Sequence, residues 1–286
     1  MSYEGAIYRP PSEANSLILQ VTVGCSHNNC TFCSMYKGKS FRIKSKEEIF
    51  EDIDNYSHDI YTKAFLADGD AMLLKTDLLI EIIRRIRLKM SNIKRIGIYA
   101  HANNLKTKTV DELRLLKKEG LNIIYVGVES GSDKVLEKIN KGIGSSEMKK
   151  QLLKISESGI KLSVMIISGL GGRKLSSEHA IESAKLLNEI KPKFLSLLTL
   201  MLEEGTEFYK EVQNHKIELL DPEEILLETK LMIENLDLKN TIFRVNHASN
   251  YLSLEGILNK DKNRILREIE VAIKNKDYIP EYFRRL

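Results

Sequence analysis

Cys25, Cys30 and Cys33 fall together in the stretch GCSHNNCTFC, and the rest of the 286-residue chain contains no cysteine. An odd number of thiols packed into one loop does not build a disulfide framework, which needs pairs spread along the chain. Three thiols this close point to a metal site in a reducing compartment. A structural zinc ion prefers four ligands, and His27 can supply the fourth. An iron–sulfur cube held by three thiolates leaves one iron without a protein thiolate, and so open to a substrate or cofactor. Structural zinc joins distant segments, whereas this loop closes only on itself. Cysteines with no metal are the remaining reading.

Other polar clusters recur further along the chain. In Asp68-Gly69-Asp70 the glycine permits close backbone approach, and carbonyls with a carboxylate suit a cation. A short acidic turn is the plain alternative. In Gly127-Val128-Glu129-Ser130-Gly131 the carboxylate can accept from two vicinal hydroxyls and Ser130 can donate to a carboxylate. The run Ile166-Ile167-Ser168-Gly169-Leu170-Gly171-Gly172 lets backbone approach a flat ring, but its glycine spacing is not that of G-x-G-x-x-G. His247, in HASNY, can transfer a proton or tie down a loop. Lys37 and Arg42 can hold an anion or stand solvated.

These clusters need elements to position them, and the sequence supplies a strand–helix alternation. Apolar, β-rich runs occur at 17–23, 62–68, 93–98, 122–128, 161–167 and 193–200, several nearly continuous, as in parallel strands covered on both faces. Helical spacing lies between them, as in Leu78, Leu79, Ile82, Ile83 and Ile86, and in Ile181, Ala184, Leu187 and Ile190. Thr76 or Asp77 can cap the second helix, Ser132 or Asp133 the helix after ESGS, and Gly120 and Gly159 end theirs. Six βα units with no long linker predict an α/β protein, a partial (β/α)6 TIM-like barrel with a mostly parallel sheet over residues 1–205. Residues 206–286 form a C-terminal extension packing on the barrel. Helices are predicted over 222–236 and 262–274, with an extended piece, TIFRVNHASNYLSL, between them. In such sheets the chemistry collects on the loops beyond the carboxyl ends of the strands.

Composition narrows the class. The net charge of +4, from 44 basic and 40 acidic residues, does not argue for nucleic acid, and the basic tail KNKDYIPEYFRRL reads as a solvated surface. The start MSYEGAIYRPPSEAN lacks a secretory pattern, and apolar runs such as 195–202 are too short to span a bilayer. A cytoplasmic protein with no membrane partner is expected.

The three-cysteine loop after the first strand, followed in order by DGD, ESGS and the glycine-rich run, resembles the radical SAM superfamily over about residues 15–205. The first spacing departs from the family: C-x4-C-x2-C replaces C-x3-C-x2-C, because Ser26, His27, Asn28 and Asn29 separate the first pair. The resemblance implies that the cysteines hold a [4Fe–4S] cluster and that S-adenosylmethionine (SAM) chelates the open iron. Reductive cleavage of SAM then gives a 5′-deoxyadenosyl radical that removes hydrogen from a substrate. By the same resemblance Phe32 lies near the adenine. Asp68, Gly69 and Asp70 correspond to the GGE motif that receives the methionine ammonium group. Glu129 and Ser130 face the ribose hydroxyls and methionine carboxylate. Ile167 and Gly169 fall in the adenine-contacting segment, whose first Gly and last Glu are missing here, and main chain near Met201 and Leu202 completes it.

Polar residues that the template does not use for SAM are expected to meet the substrate: Tyr99, His101, Asn103 and Asn104, then Arg244, Asn246, His247, Ser249, Asn250 and Tyr251. Of these, Tyr99, His101 and His247 are the candidates for catalysis. The implied partners are a small-molecule or peptide-linked substrate and an external electron donor such as flavodoxin or ferredoxin. A non-catalytic iron–sulfur or zinc module, and an ordinary (β/α) enzyme with bystander thiols, are the competing classes.

Overall fold

The apolar run that opens the alternation becomes β1 (Leu17–Gln20), with β2 (Thr22–Val23) directly after it. In the computed structural model residues 3–56 and 60–284 are described, so the ends of the N-terminal and basic tail segments lie outside the described residues. The chain then forms β3 (Arg42–Ile43), α1 (Lys46–Asn55), β4 (Lys63–Ala67), α2 (Thr76–Lys89), β5 (Arg95–Ala100), α3 (Val110–Glu119) and β6 (Leu121–Glu129). It continues through α4 (Asp133–Lys138), α5 (Ser145–Glu157), β7 (Lys161–Ser168), α6 (Gly172–Ile190) and β8 (Phe194–Thr199). Last come α7 (Glu207–Gln213), α8 (Pro222–Asn235), β9 (Thr241–Arg244), β10 (Glu255–Leu258) and α9 (Lys262–Asn275). The class is α/β with a mostly parallel sheet of eight strands, and β2 and β3 form a separate antiparallel pair. Among the described residues no helix is long and apolar enough to cross a membrane.

Two compact units share the chain. One comprises Met1–Asn28, Met35–Val126 and Lys150–Leu162; the other comprises Asn29–Ser34, Gly127–Lys149 and Ser163–Leu286.

In the first unit β1, β4, β5 and β6 pair in parallel, with Gln20 opposite Ala67 and Ile98 opposite Ile124. Phe65 and Leu66 are both fully buried, as expected of a strand covered on both faces. The ring of Phe65 meets those of Tyr99 and Tyr125 edge-on at 4.8 and 5.6 Å. Gly97 makes room for them, since a Cβ there would come within 3.1–3.3 Å of Ile123, Phe65 and Tyr125. Helix α2 buries Leu79, Ile80, Ile82, Ile83 and Ile86, each worth about 1.5–3 kcal/mol on burial. The expected cap of this helix is not formed. Lys75 takes the N-cap position with no side-chain cap, and the Thr76 hydroxyl donates to Glu112 Oε1 (2.7 Å) instead. Glu112 also closes a capping box with Thr109, so one carboxylate serves both helix starts.

In the second unit β7, β8 and β9 run parallel, with Ser168 opposite Thr199 and Ser196 opposite Arg244, and β10 pairs antiparallel with β9. Two strands therefore follow the six that periodicity predicts. Each is four residues long with mixed burial, so neither shows a continuous apolar run. Val135, Ile139, Leu170, Phe208 and Ile217 form a buried cluster against which Phe32, Ile167, Leu200 and Leu202 pack. The basic tail is not wholly solvated. Arg284 is buried, donates from Nε to Ser249 O (2.6 Å) and from Nη2 to Leu200 O (2.9 Å), and lies over the Tyr251 ring.

Candidate active site

The register of β1 on β4 brings the chain leading into Cys25 alongside the DGD turn. Val21 N–H donates to Ala67 O (2.6 Å), Asp68 N–H to Thr22 Oγ1 (3.0 Å) and Gly69 N–H to Gly24 O (3.1 Å). Gly69 itself is required by closeness: a Cβ would sit 2.8 Å from the Tyr36 ring and 3.1 Å from Cys25 Cβ. The DGD backbone thus lies against the first thiol residue.

Both DGD carboxylates are fully buried, and burial raises each above the ordinary carboxylate range. Asp68 accepts from Tyr36 Oη (2.7 Å) and Gly24 N–H (3.3 Å), with Lys39 Nζ at 3.6 Å. Asp70 accepts at Oδ1 from His101 N–H (2.9 Å) and at Oδ2 from Ser26 Oγ (2.6 Å) and Asn104 Nδ2. These bonds oppose the effect of burial without cancelling it.

The candidates on the third loop take different positions. Tyr99 lies within the ring cluster of Phe65 and Tyr125, where burial pushes its phenol up. His101 caps the turn after β5, accepting at Nδ1 from Asn103 N–H (3.3 Å), and its ring stacks on His27 at 5.1 Å. The anion-binding reading of Arg42 gains nothing here, because its guanidinium is ion-paired with Glu4 and Glu48. Lys37 donates to Asn28 O (2.9 Å).

The second unit anchors the latter part of the cysteine loop. Thr31 N–H donates to Ile139 O (2.9 Å), Phe208 N–H to Thr31 O (3.0 Å), and Asn140 Nδ2 to Asn29 O (3.2 Å). Phe32 packs beside Ile167 and Leu202 on the buried cluster, so its packing role is visible directly.

At the end of β6, Glu129 adopts φ +67°, an uncommon conformation for a residue with a Cβ. Its Oε1 pairs with buried Lys141 Nζ at 2.9 Å. The carboxylate folds back so far that a Cβ on Gly127 would stand 2.1 Å from Oε1. The Ser130 hydroxyl accepts from Ser132 N–H (3.0 Å) and lies 2.8 Å from His179 Nδ1. Either the hydroxyl or Nδ1 can donate in this pair, since a hydroxyl oxygen accepts up to two hydrogen bonds. Nε2 stands 3.8 Å from Glu228 Oε1, and burial holds His179 below its ordinary value and therefore neutral. Glu228 in turn accepts from Gly169 N–H (2.8 Å) and Ser176 Oγ (2.6 Å). Buried polar groups thus extend from the ESGS loop to His179 and from the glycine-rich loop to Glu228, with 3.8 Å between the imidazole and the carboxylate.

Sequence motifs did not reveal His179 and Glu228. The available signal was a carboxylate on the apolar face of α8, beside Ile225 and Thr229. Gly169, at φ +88°, lines a recess of about 180 Å³ with Thr199, Leu200, Leu202, Tyr251 and Arg284. His247 lies near the end of β8: its Nδ1 accepts from Ser249 N–H (3.1 Å), and Ser249 Oγ accepts from Thr199 N–H (3.2 Å). Burial lowers its pKa, so the ring is neutral with its proton on Nε2.

The family model of the radical SAM superfamily matches residues 19–187, more than half of the chain. The chain belongs to the radical SAM superfamily. The cofactors of this superfamily are a [4Fe–4S] cluster and SAM, and its members named below include enzymes. The chain is 27% identical over 220 residues to the ribosomal protein uS12 methylthiotransferase RimO of a Thermotoga species, covering 73% of this chain and 50% of that protein. It is 23% identical over 193 residues to the heme chaperone HemW of Buchnera aphidicola, covering 64% and 50%. It thus spans about half the length of these curated relatives. Methylornithine synthase (PylB) shares the fold with a TM-score of 0.55 at 16% identity, over 90% of this chain and 81% of that one.

The radical SAM cofactors fit the donor set. None of the three cysteines is in a disulfide, and all are partly exposed, so each sulfur is accessible to iron. Among the described residues no three His, Cys, Asp or Glu side chains are drawn together as ligands of one ion, so the fit rests on donor chemistry and chain spacing.

Proposed function

We propose that this protein cleaves SAM reductively and uses the resulting radical to abstract hydrogen from a small-molecule or peptide-linked substrate. The observation that carries this is Gly69 closing on Cys25, which brings a turn suited to a cationic group against a loop holding three thiols. Cys25, Cys30 and Cys33 would hold the cluster. When bound, the cluster would supply the one electron that reductive cleavage of the SAM carbon–sulfur bond requires.

The chain's own residues bind and orient. The DGD main chain offers carbonyls to the ammonium group, and two buried carboxylates lie behind it. Glu129 and Ser130 serve the ribose and methionine carboxylate, while Phe32, Ile167, Gly169 and Leu202 give the adenine an apolar bed. His247, with its proton on Nε2, can donate to a substrate, and Tyr99 and His101 shape the third loop. An external flavodoxin or ferredoxin supplies the electron. A relative named for a ribosomal protein and a neighbour named for methylornithine support both substrate sizes.

The test is 5′-deoxyadenosine formation from SAM after anaerobic reconstitution with iron and sulfide. The wild type should form it under a strong reductant and a Cys33→Ala variant should not. Undiminished product from Cys33→Ala refutes the proposal.

A further inference from the structure

The four residues between Cys25 and Cys30 are held one by one. Asn28, at φ +42°, donates from Nδ2 to Tyr36 O (2.9 Å), and the His27 ring stacks on His101. Asn29 receives the Asn140 amide. Ser26, next to the first thiol, is held most completely. It donates from Oγ to Asp70 Oδ2 (2.6 Å) and accepts there from Asn104 Nδ2 (2.8 Å), and Asn104 Nδ2 also donates to Asp70 Oδ2. Three side chains from three segments thus close a triangle of hydrogen bonds, with Asp70 fully buried at one corner. The other oxygen of Asp70 is engaged by His101 N–H, so the carboxylate faces protein donors at both ends.

We propose that Asp70, Ser26 and Asn104 are positioning residues for the cysteine loop, and that this triangle is what accommodates the C-x4-C spacing. Asp70 then acts on the cluster through Ser26, and contact with a cationic group falls to the main chain of the DGD turn. The geometry gives each member a separate job. Ser26 ties down the residue adjoining Cys25. Asn104 bridges the loop and the carboxylate with a single amide. Asp70 supplies charge-assisted acceptance to two donors at once, which shortens and strengthens both bonds. Removing any one member takes away at least one of the two bonds that hold the residue beside the first thiol. The cluster should then be held less tightly, and the bonding around its sulfur ligands should change.

The inference rests on the radical SAM reading and is tested without activity. Wild type, Ser26→Ala, Ser26→Thr, Asn104→Ala and Asp70→Asn are reconstituted anaerobically. Each is then challenged with a ferrous chelator, while the reduced cluster's electron paramagnetic resonance spectrum and the protein's thermal midpoint are recorded. Ser26→Ala and Asn104→Ala should release iron about tenfold faster with an altered spectrum at an unchanged thermal midpoint. Ser26→Thr, which keeps the hydroxyl, should restore the wild-type rate and spectrum. Asp70→Asn, which sets an amide against the Asn104 amide, should behave like the alanine variants or worse. Iron release from both Ser26→Ala and Asn104→Ala within twofold of wild type overturns the inference. Cys25→Ala separates the two readings: if it retains the full cluster the functional proposal fails, whereas if it loses the cluster and the triangle variants do not, only this inference fails.

Discussion

Replacing Glu228 by alanine tests the buried polar groups behind the glycine-rich loop. In the native protein both carboxylate oxygens are engaged, Oε1 by the Gly169 amide at 2.8 Å and Oε2 by the Ser176 hydroxyl at 2.6 Å. Alanine removes both acceptors. A buried donor left unsatisfied costs about 1–3 kcal/mol, and the Gly169 amide, deep in the unit, falls toward the upper end. Ser176 is only half-buried, so water can reach it and its share falls toward the lower end. The one buried methylene that is lost adds about 0.8 kcal/mol. The total is about 4–5 kcal/mol, a large fraction of a typical folding stability of about 5–15 kcal/mol.

Glutamine is the control. Its carbonyl can still accept from Gly169, and its amide can donate to the Ser176 oxygen, so Glu228→Gln should cost only about 1 kcal/mol. Urea unfolding followed by far-ultraviolet circular dichroism gives the global values. Hydrogen exchange at the Gly169 amide gives the local one, where each 1.4 kcal/mol of lost protection reads as a tenfold faster rate. Equal stabilities for Glu228→Ala and Glu228→Gln, with Gly169 protection unchanged, would falsify the assignment of Glu228 as the anchor of this loop.

Two further outcomes follow from the same region. Burial depresses His179 below its ordinary value of 6.5, so below about pH 6.5 the unfolded chain binds more protons than the native one. Stability contributed by the neutral ring is full above that pH and is lost as pH falls toward the native value, at no more than about 1.4 kcal/mol per pH unit. His247 contributes with the same sign, so the informative quantity is the slope difference between wild type and His179→Gln between pH 8 and 5.5; parallel slopes refute the assignment. Gly127→Ala would set a methyl 2.1 Å from Glu129 Oε1, the mobile end of a side chain, and so should swing the carboxylate off Lys141 at a cost of up to about 3–5 kcal/mol, because the ion pair it breaks is buried. The KM for SAM in 5′-deoxyadenosine formation should rise about tenfold, equivalent to about 1.4 kcal/mol; a KM within twofold of wild type rules out a ligand role for Glu129.

Strands β1 and β4 to β8 were legible because their runs are long and apolar, and burial on both faces leaves that pattern in the sequence. β9 falls in the piece read only as extended and β10 was not read at all, because four-residue strands of mixed exposure resemble loop. Motif order located the cysteine, DGD and ESGS loops. What those side chains bond to was hidden, since Asp70 meets Asn104 across 34 residues and Gly169 meets Glu228 across 59. No local period encodes a pairing of that range. The cap of α2 was misplaced for the same reason: Thr76 has a distant partner in Glu112 that outcompetes its own helix end.

The Glu228–Gly169 bond also bears on where this protein can be cut. The segment that identifies the superfamily stops at residue 187, yet the acceptor for the Gly169 amide arrives on α8, and β8, which pairs with β7 and is itself covered by β9, lies wholly beyond that point. A fragment trimmed to the recognisable core would expose one flank of a central strand and strip the partner from a backbone amide at the glycine-rich loop. Excision, domain grafting and chimera design should therefore carry residues through β9 with the core, because the recognisable motif is shorter than the unit that holds its loops in place.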